Sequence, residues 1–150
     1  MTKAEMNVAT GRLFNIAGEI FKEKSIKDSL IINEEKLQID GDFSAEPFNV
    51  HLKFSIYPEN GMMTFFSLLP FDVPATKVSE FAKLVGTVNY YDFYAGNYDY
   101  NPDTGKVVFR RAILYRGSII SSELLAESVQ YVVDTVSKYN QRFFEAARDS

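Results

Sequence analysis

Phe48-Asn49-Val50-His51-Leu52-Lys53-Phe54-Ser55-Ile56 alternates apolar and polar side chains. Pro58-Glu59-Asn60-Gly61 follows, and then Met62-Met63-Thr64-Phe65-Phe66-Ser67-Leu68-Leu69. A period of two sustained over 48–57 is the signature of a half-buried strand in an antiparallel sheet. Phe48, Val50, Leu52, Phe54 and Ile56 take one face, and Asn49, His51, Lys53 and Ser55 take the other. The Pro-Glu-Asn-Gly stretch is a turn, with Gly61 open to positive φ. The strand predicted over 62–69 differs from its neighbour because it is apolar on both sides. Met63, Phe65 and Leu69 face one way, and Met62, Phe66 and Leu68 face the other. Such a strand is either covered on both faces or carries a surface used for association, which makes Met62, Phe66 and Leu68 candidate protein-interface residues.

Outward from this hairpin, residues 36–43 alternate with Leu37, Ile39, Gly41 and Phe43 on one side and predict a further strand. Residues 4–24 place Met6, Ala9, Leu13, Ile16, Ala17 and Ile20 on one helical stripe, tolerating Gly11 and Gly18. Pro74 suits a helix start, and 75–93 predict a second helix with Val78, Phe81, Ala82, Val85 and Val88 inward. A hairpin follows, with strands at 97–100 and 106–116 about Asn101-Pro102-Asp103-Thr104-Gly105. Ser121 or Ser122 caps a third helix running to about 147, along the seam Leu125, Val129, Val132, Val136, Tyr139 and Phe143. The expected architecture is α+β, an antiparallel sheet of about five strands with three helices in the order α-β-β-β-α-β-β-α. No repeat or flexible linker interrupts it, so residues 1–150 are expected to form a single domain.

Composition excludes several chemistries. The chain has 150 residues, no cysteine and one histidine, so thiolate nucleophiles, disulfides, Cys-ligated metals and two-histidine sites are ruled out. The net charge is −4 and the acidity is concentrated in residues 37–105, which hold three basic and nine acidic groups; this disfavours nucleic-acid binding. Lys106, Arg110, Arg111 and Arg116 form a local basic group best read as a solvated strand face. Without a signal-type N-terminus or an apolar run long enough for a membrane span, a cytoplasmic protein without membrane association is expected.

No catalytic, cofactor-binding or metal-ligating residue is assigned. His51 lies on the polar face of its strand, where the alternation supplies no specific nucleophile or carboxylate partner. Asp99, Asn101 and Asp103 occupy calcium-loop positions, but Thr104 stands where glycine is needed and Arg110 where glutamate is needed. No phosphate-binding glycine loop or nucleophile elbow is present. Residues 90–100 are dense in tyrosine and close one end of the sheet; the alternative is a ligand pocket formed by Tyr94, Tyr98 and Arg111. Arg111 interrupts the apolar face of Val107, Phe109, Ile113 and Tyr115, so it requires a carboxylate, an interface or a route to the surface.

The stretch Gly96-Asn97-Tyr98-Asp99-Tyr100-Asn101-Pro102-Asp103-Thr104-Gly105-Lys106-Val107-Val108-Phe109-Arg110-Arg111 resembles the strand, acidic glycine turn and basic-aromatic strand of YbjN-like proteins, described as bacterial sensory transduction regulators. Ser121-Ser122-Glu123-Leu124-Leu125 and the late Tyr139 match the family's last helix. Arg111 departs from the smaller residue usual on that face. The resemblance implies the fold of type III secretion chaperones, a homodimer, and apolar patches that bind extended segments of a partner protein. The function it implies is non-enzymatic protein binding, chaperone-like or regulatory, with no cofactor.

Overall fold

The structure, a computed structural model, describes residues 1–93 and 95–148. Helix α1 spans Lys3–Lys24. Thr2 opens it with a capping box: its hydroxyl accepts the Glu5 amide at 3.1 Å, and the Glu5 carboxylate accepts the Thr2 amide at 3.3 Å. After a single 3₁₀ turn at Lys27–Ser29 come β1 (Ile31–Asn33), β2 (Gln38–Phe43), β3 (Val50–Tyr57) and β4 (Met62–Leu68). A turn of 3₁₀ helix at Ala75–Lys77 leads into α2 (Val78–Asp92). Strands β5 (Asn97–Asn101) and β6 (Lys106–Leu114) and helix α3 (Ser122–Ala147) complete the chain. The sheet is antiparallel, in the order β1-β2-β3-β4-β6-β5.

The sheet therefore has six strands where about five were expected. The additional one, β1, is three residues long, too short to display a period of two. It exists because β2 offers it an edge, with Ile32 opposite Ile39. The predicted strand at 36–43 is correspondingly shorter at its start. Lys36 belongs to the β1–β2 turn, and Leu37 takes the left-handed region at φ 55°.

One face of the sheet forms the core. Ile39, Phe54, Phe65 and Phe109 are fully buried there under Leu13, Ala17 and Phe21 of α1 and Val129, Val132 and Phe143 of α3. Helix α2 packs beside α3 and against β5, where Phe81 meets Tyr100 and Phe143 edge-on or tilted at 5.1 and 5.6 Å. Its Asn89 also closes the outer edge of β5. The side-chain amide donates to the Tyr98 carbonyl at 2.8 Å, and its oxygen accepts the Tyr98 N–H at 2.9 Å. A neighbouring strand would make the same two bonds, so the amide stands in for one at a sheet edge.

The β5–β6 turn has a structural duty beyond reversing the chain. Gly105 sits at φ +79°, its N–H bonds the Asn101 carbonyl at 2.8 Å, and its carbonyl accepts the Val73 N–H at 2.8 Å. A Cβ at that position would lie 2.6 Å from the Val73 carbonyl oxygen, so only glycine lets the turn anchor the segment between β4 and α2.

Candidate functional site

The second face of the sheet has no helix over it among the described residues, and cross-strand register composes its surface. Met62 lies between Tyr57 of β3 and Leu114 of β6, Thr64 between Ser55 and Ala112, and Phe66 between Lys53 and Arg110. Leu68 is opposite Val108. The three residues singled out as interface candidates thus share one bare face, on a central strand. Met62 and Phe66 are half-buried, while Leu68 is 45% and Leu114 68% exposed. The Arg110 guanidinium lies over the Phe66 ring, 5.4 Å from its centroid, and pairs with Asp99 on β5. Its charge is thereby held at the border of the apolar strip.

Beneath these side chains the Ser55 and Thr64 hydroxyls are buried and have no hydrogen-bond partner among the described residues. Such groups carry a desolvation cost, here on the one face whose covering is incomplete.

Toward β2 the strip gives way to charge. Asp42 lies opposite His51, and Asp40 opposite Lys53. The imidazole bridges both carboxylates, with Nδ1 at 2.7 Å from Asp42 and Nε2 at 3.1 Å from Asp40. The alternation within one strand does not reveal these partners, which come from register with the next. With both ring nitrogens engaged, His51 acts as a cross-strand clamp and presents no free nitrogen to a substrate.

The tyrosine-rich end is mostly core. Tyr98 is only 1% exposed, enclosed by Phe93, Phe109, Tyr139 and Phe143 with ring centroids 4.6 to 6.2 Å away. Burial, then the neighbouring Tyr139 and Tyr131, push its phenol far above the ordinary tyrosine range. Tyr139 is pushed up to about 12 by burial and by its hydrogen bond to Asp92 at 2.6 Å. Tyr94 lies outside the described residues. Among the described residues Arg111 has no carboxylate partner: half-buried beside Phe65, its guanidinium rests over the Tyr131 ring at 5.3 Å. It borders a shallow depression of about 400 Å³ with Ala95, Gly96, Asn97, Arg110 and Ala112, and Tyr98 does not line that space. Tyr98 is thus packed in the core, while Arg111 borders that depression. The other basic side chains are engaged separately, Lys106 with Asp72 at 2.9 Å and Arg116 with the Glu59 carbonyl at 3.0 Å.

Among the described residues no group of His, Asp and Glu side chains is arranged to hold a metal, and no helix is long and apolar enough to cross a membrane.

No family model and no curated protein matches the chain. Among solved structures, the chain is similar to one in the crystal structure of the ExsC–ExsE complex. The TM-score is 0.59 at 15% identity, covering 88% of this chain and 93% of that one. At that identity the likeness concerns the fold alone, an α+β arrangement of three helices and one antiparallel sheet.

Proposed function

We propose that the chain is a non-enzymatic protein-binding module, a cytoplasmic chaperone-like or regulatory adaptor, homodimeric and akin to the YbjN-like proteins. It takes up a segment of a partner protein on the bare face of its sheet. The observation that carries this reading is the strip formed by Met62, Phe66, Leu68, Val108 and Leu114 on two central strands, apolar and only partly covered. Soluble monomers rarely leave such a strip on a sheet's interior strands without use. The structural neighbour supports the reading, since that structure is of the ExsC–ExsE complex.

The test is comparative affinity capture from the native cell followed by mass spectrometry. The bait is wild type, Phe66→Glu or Tyr90→Glu, the last changing an exposed aromatic remote from the strip. A partner retained by wild type and Tyr90→Glu but lost with Phe66→Glu is the expected result. Identical partners on all three baits would remove the sheet face from the function.

A further inference from the structure

Helix α1 and the loop at 118–120 enclose an apolar groove on the helical layer of the molecule. Its volume is about 520 Å³, within the range of small-molecule sites. Glu5, Val8 and Arg12 line it at steps of three and four, so it runs along the helix axis. Leu13, 1% exposed, and Ile120, 7% exposed, form its floor, while Val8 and Ile119 stand at its rims, 73% and 94% exposed. Among the described residues its charged side chains are Glu5 and Arg12, about 10 Å apart along the axis and on one side of the helix. Glu5 is satisfied internally. It accepts the Thr2 amide in the capping box, and hydrogen bonds from Thr2 hold its carboxyl below the ordinary range, so that end of the groove stays negative. Arg12 is not satisfied. Its Nη1 donates to the Ile120 carbonyl at 2.7 Å, which ties the loop to the helix, and the other guanidinium donors have no carboxylate among the described residues.

From this arrangement we infer that the groove is a binding site for a free medium-chain aliphatic carboxylate, its head on the unpaired edge of Arg12 and its tail lying past Val8 toward Glu5. The charges select the head. A guanidinium with a free edge receives a carboxylate through parallel N–H bonds, and the fixed Glu5 carboxylate repels the same head from the other end, so one orientation is favoured. The lining selects the tail. Between the two charges it offers one side-chain hydroxyl, that of Ser118. An extended peptide pressed on that floor would leave backbone N–H and C=O groups without partners, whereas a methylene chain has none to satisfy. The length follows from the same two residues. An extended chain advances about 1.2 Å per bond, so the stretch of about 10 Å accommodates roughly eight to ten carbons.

The site is separate from the strip on the sheet and stands whether or not that strip takes a partner. The experiment is isothermal titration calorimetry of the full chain with decanoate below its micellar concentration. Decylamine, which reverses the head charge, and phosphatidylglycerol vesicles are titrated in parallel. Decanoate should bind once per chain, about ten-fold or more tightly than decylamine. Shortening it to octanoate and hexanoate should weaken binding several-fold at each step, and lengthening it to tetradecanoate should gain little, because the added carbons outrun the groove. Val8→Asp should abolish binding. Arg12→Gln should weaken decanoate about ten-fold and erase its advantage over decylamine, with helicity by circular dichroism unchanged. Tyr90→Glu, remote from the groove, should alter neither ligand. Since Arg12→Gln also unties the loop at 118–120, the comparison of the two head groups on wild type tests the charge independently. No saturable binding of decanoate, equal affinity for decanoate and decylamine, binding that survives Val8→Asp, or binding to vesicles without binding of free decanoate would each overturn the assignment.

Discussion

Replacing Asn89 by alanine removes two hydrogen bonds and adds no steric conflict. The Asn89 amide holds the outward N–H and C=O of Tyr98 at 2.9 and 2.8 Å, on a strand whose other edge is paired with β6. Each bond is worth about 1 kcal/mol net, so Asn89→Ala should cost about 2 kcal/mol. In urea the midpoint should fall with an unchanged slope, since no additional surface is exposed on unfolding. The thermal midpoint should drop by roughly 4–8 °C for a chain of this size. Native-state hydrogen exchange supplies the local readout. Tyr98 points its N–H toward Asn89, and the alternation of the strand turns the Asp99 N–H toward β6. The variant should lose protection at Tyr98 and keep it at Asp99. A loss below about 0.5 kcal/mol, with Tyr98 still protected, would refute the argument that the amide substitutes for a missing strand.

Two further outcomes follow from groups already described. The Tyr139 phenol has a folded pKa raised to about 12 from an ordinary value of 10.0, so its stabilising contribution is complete below about pH 10 and is lost as pH rises toward 12. Urea titrations through that window should show a smaller decline for Tyr139→Phe than for wild type; parallel declines would exclude Tyr139 as a source. Thr64→Val removes a buried hydroxyl with no partner among the described residues while keeping its shape, so stability should stay level or rise by up to about 1 kcal/mol. A clear loss on thermal melting would mean that the hydroxyl is hydrogen-bonded in solution.

The elements legible in the sequence are those whose burial repeats at the period of their own backbone. Phe48 to Ile56 declare a half-buried strand without help, and Leu125 to Phe143 declare a helix seam. Gly105 was readable as a turn residue, though its grip on Val73 was not, because that contact joins segments about thirty residues apart. Ile31–Asn33 escaped detection because three residues show no period and their pairing depends on β2. The clamp on His51 was hidden for a related reason. Asp40 and Asp42 reach it through register, which the connection between β2 and β3 decides. Within the candidate site, Met62, Phe66 and Leu68 were legible because one strand was apolar on both sides. Their companions Val108, Arg110 and Leu114 were not, because β6 joins β4 only after α2 and β5 intervene. Arg111 broke its strand's pattern visibly, yet its resting place on Tyr131 depends on how α3 is rotated above the sheet.

The dimensions of the bare strip bear on what kind of segment it accommodates. Two adjacent strands and their side chains span about 10 Å across, and the seven residues of β4 run for roughly 23 Å. That footprint equals one helix of about four turns, or a single extended chain of similar length. It is too narrow for the face of a folded domain. A partner meeting this strip therefore presents one element at a time, and the Arg110–Asp99 pair along one long side gives that element a polar margin against which to align. Recognition on such a track depends on the spacing of a few apolar side chains in a short linear stretch, so partners sharing that spacing would compete for it whatever their folds.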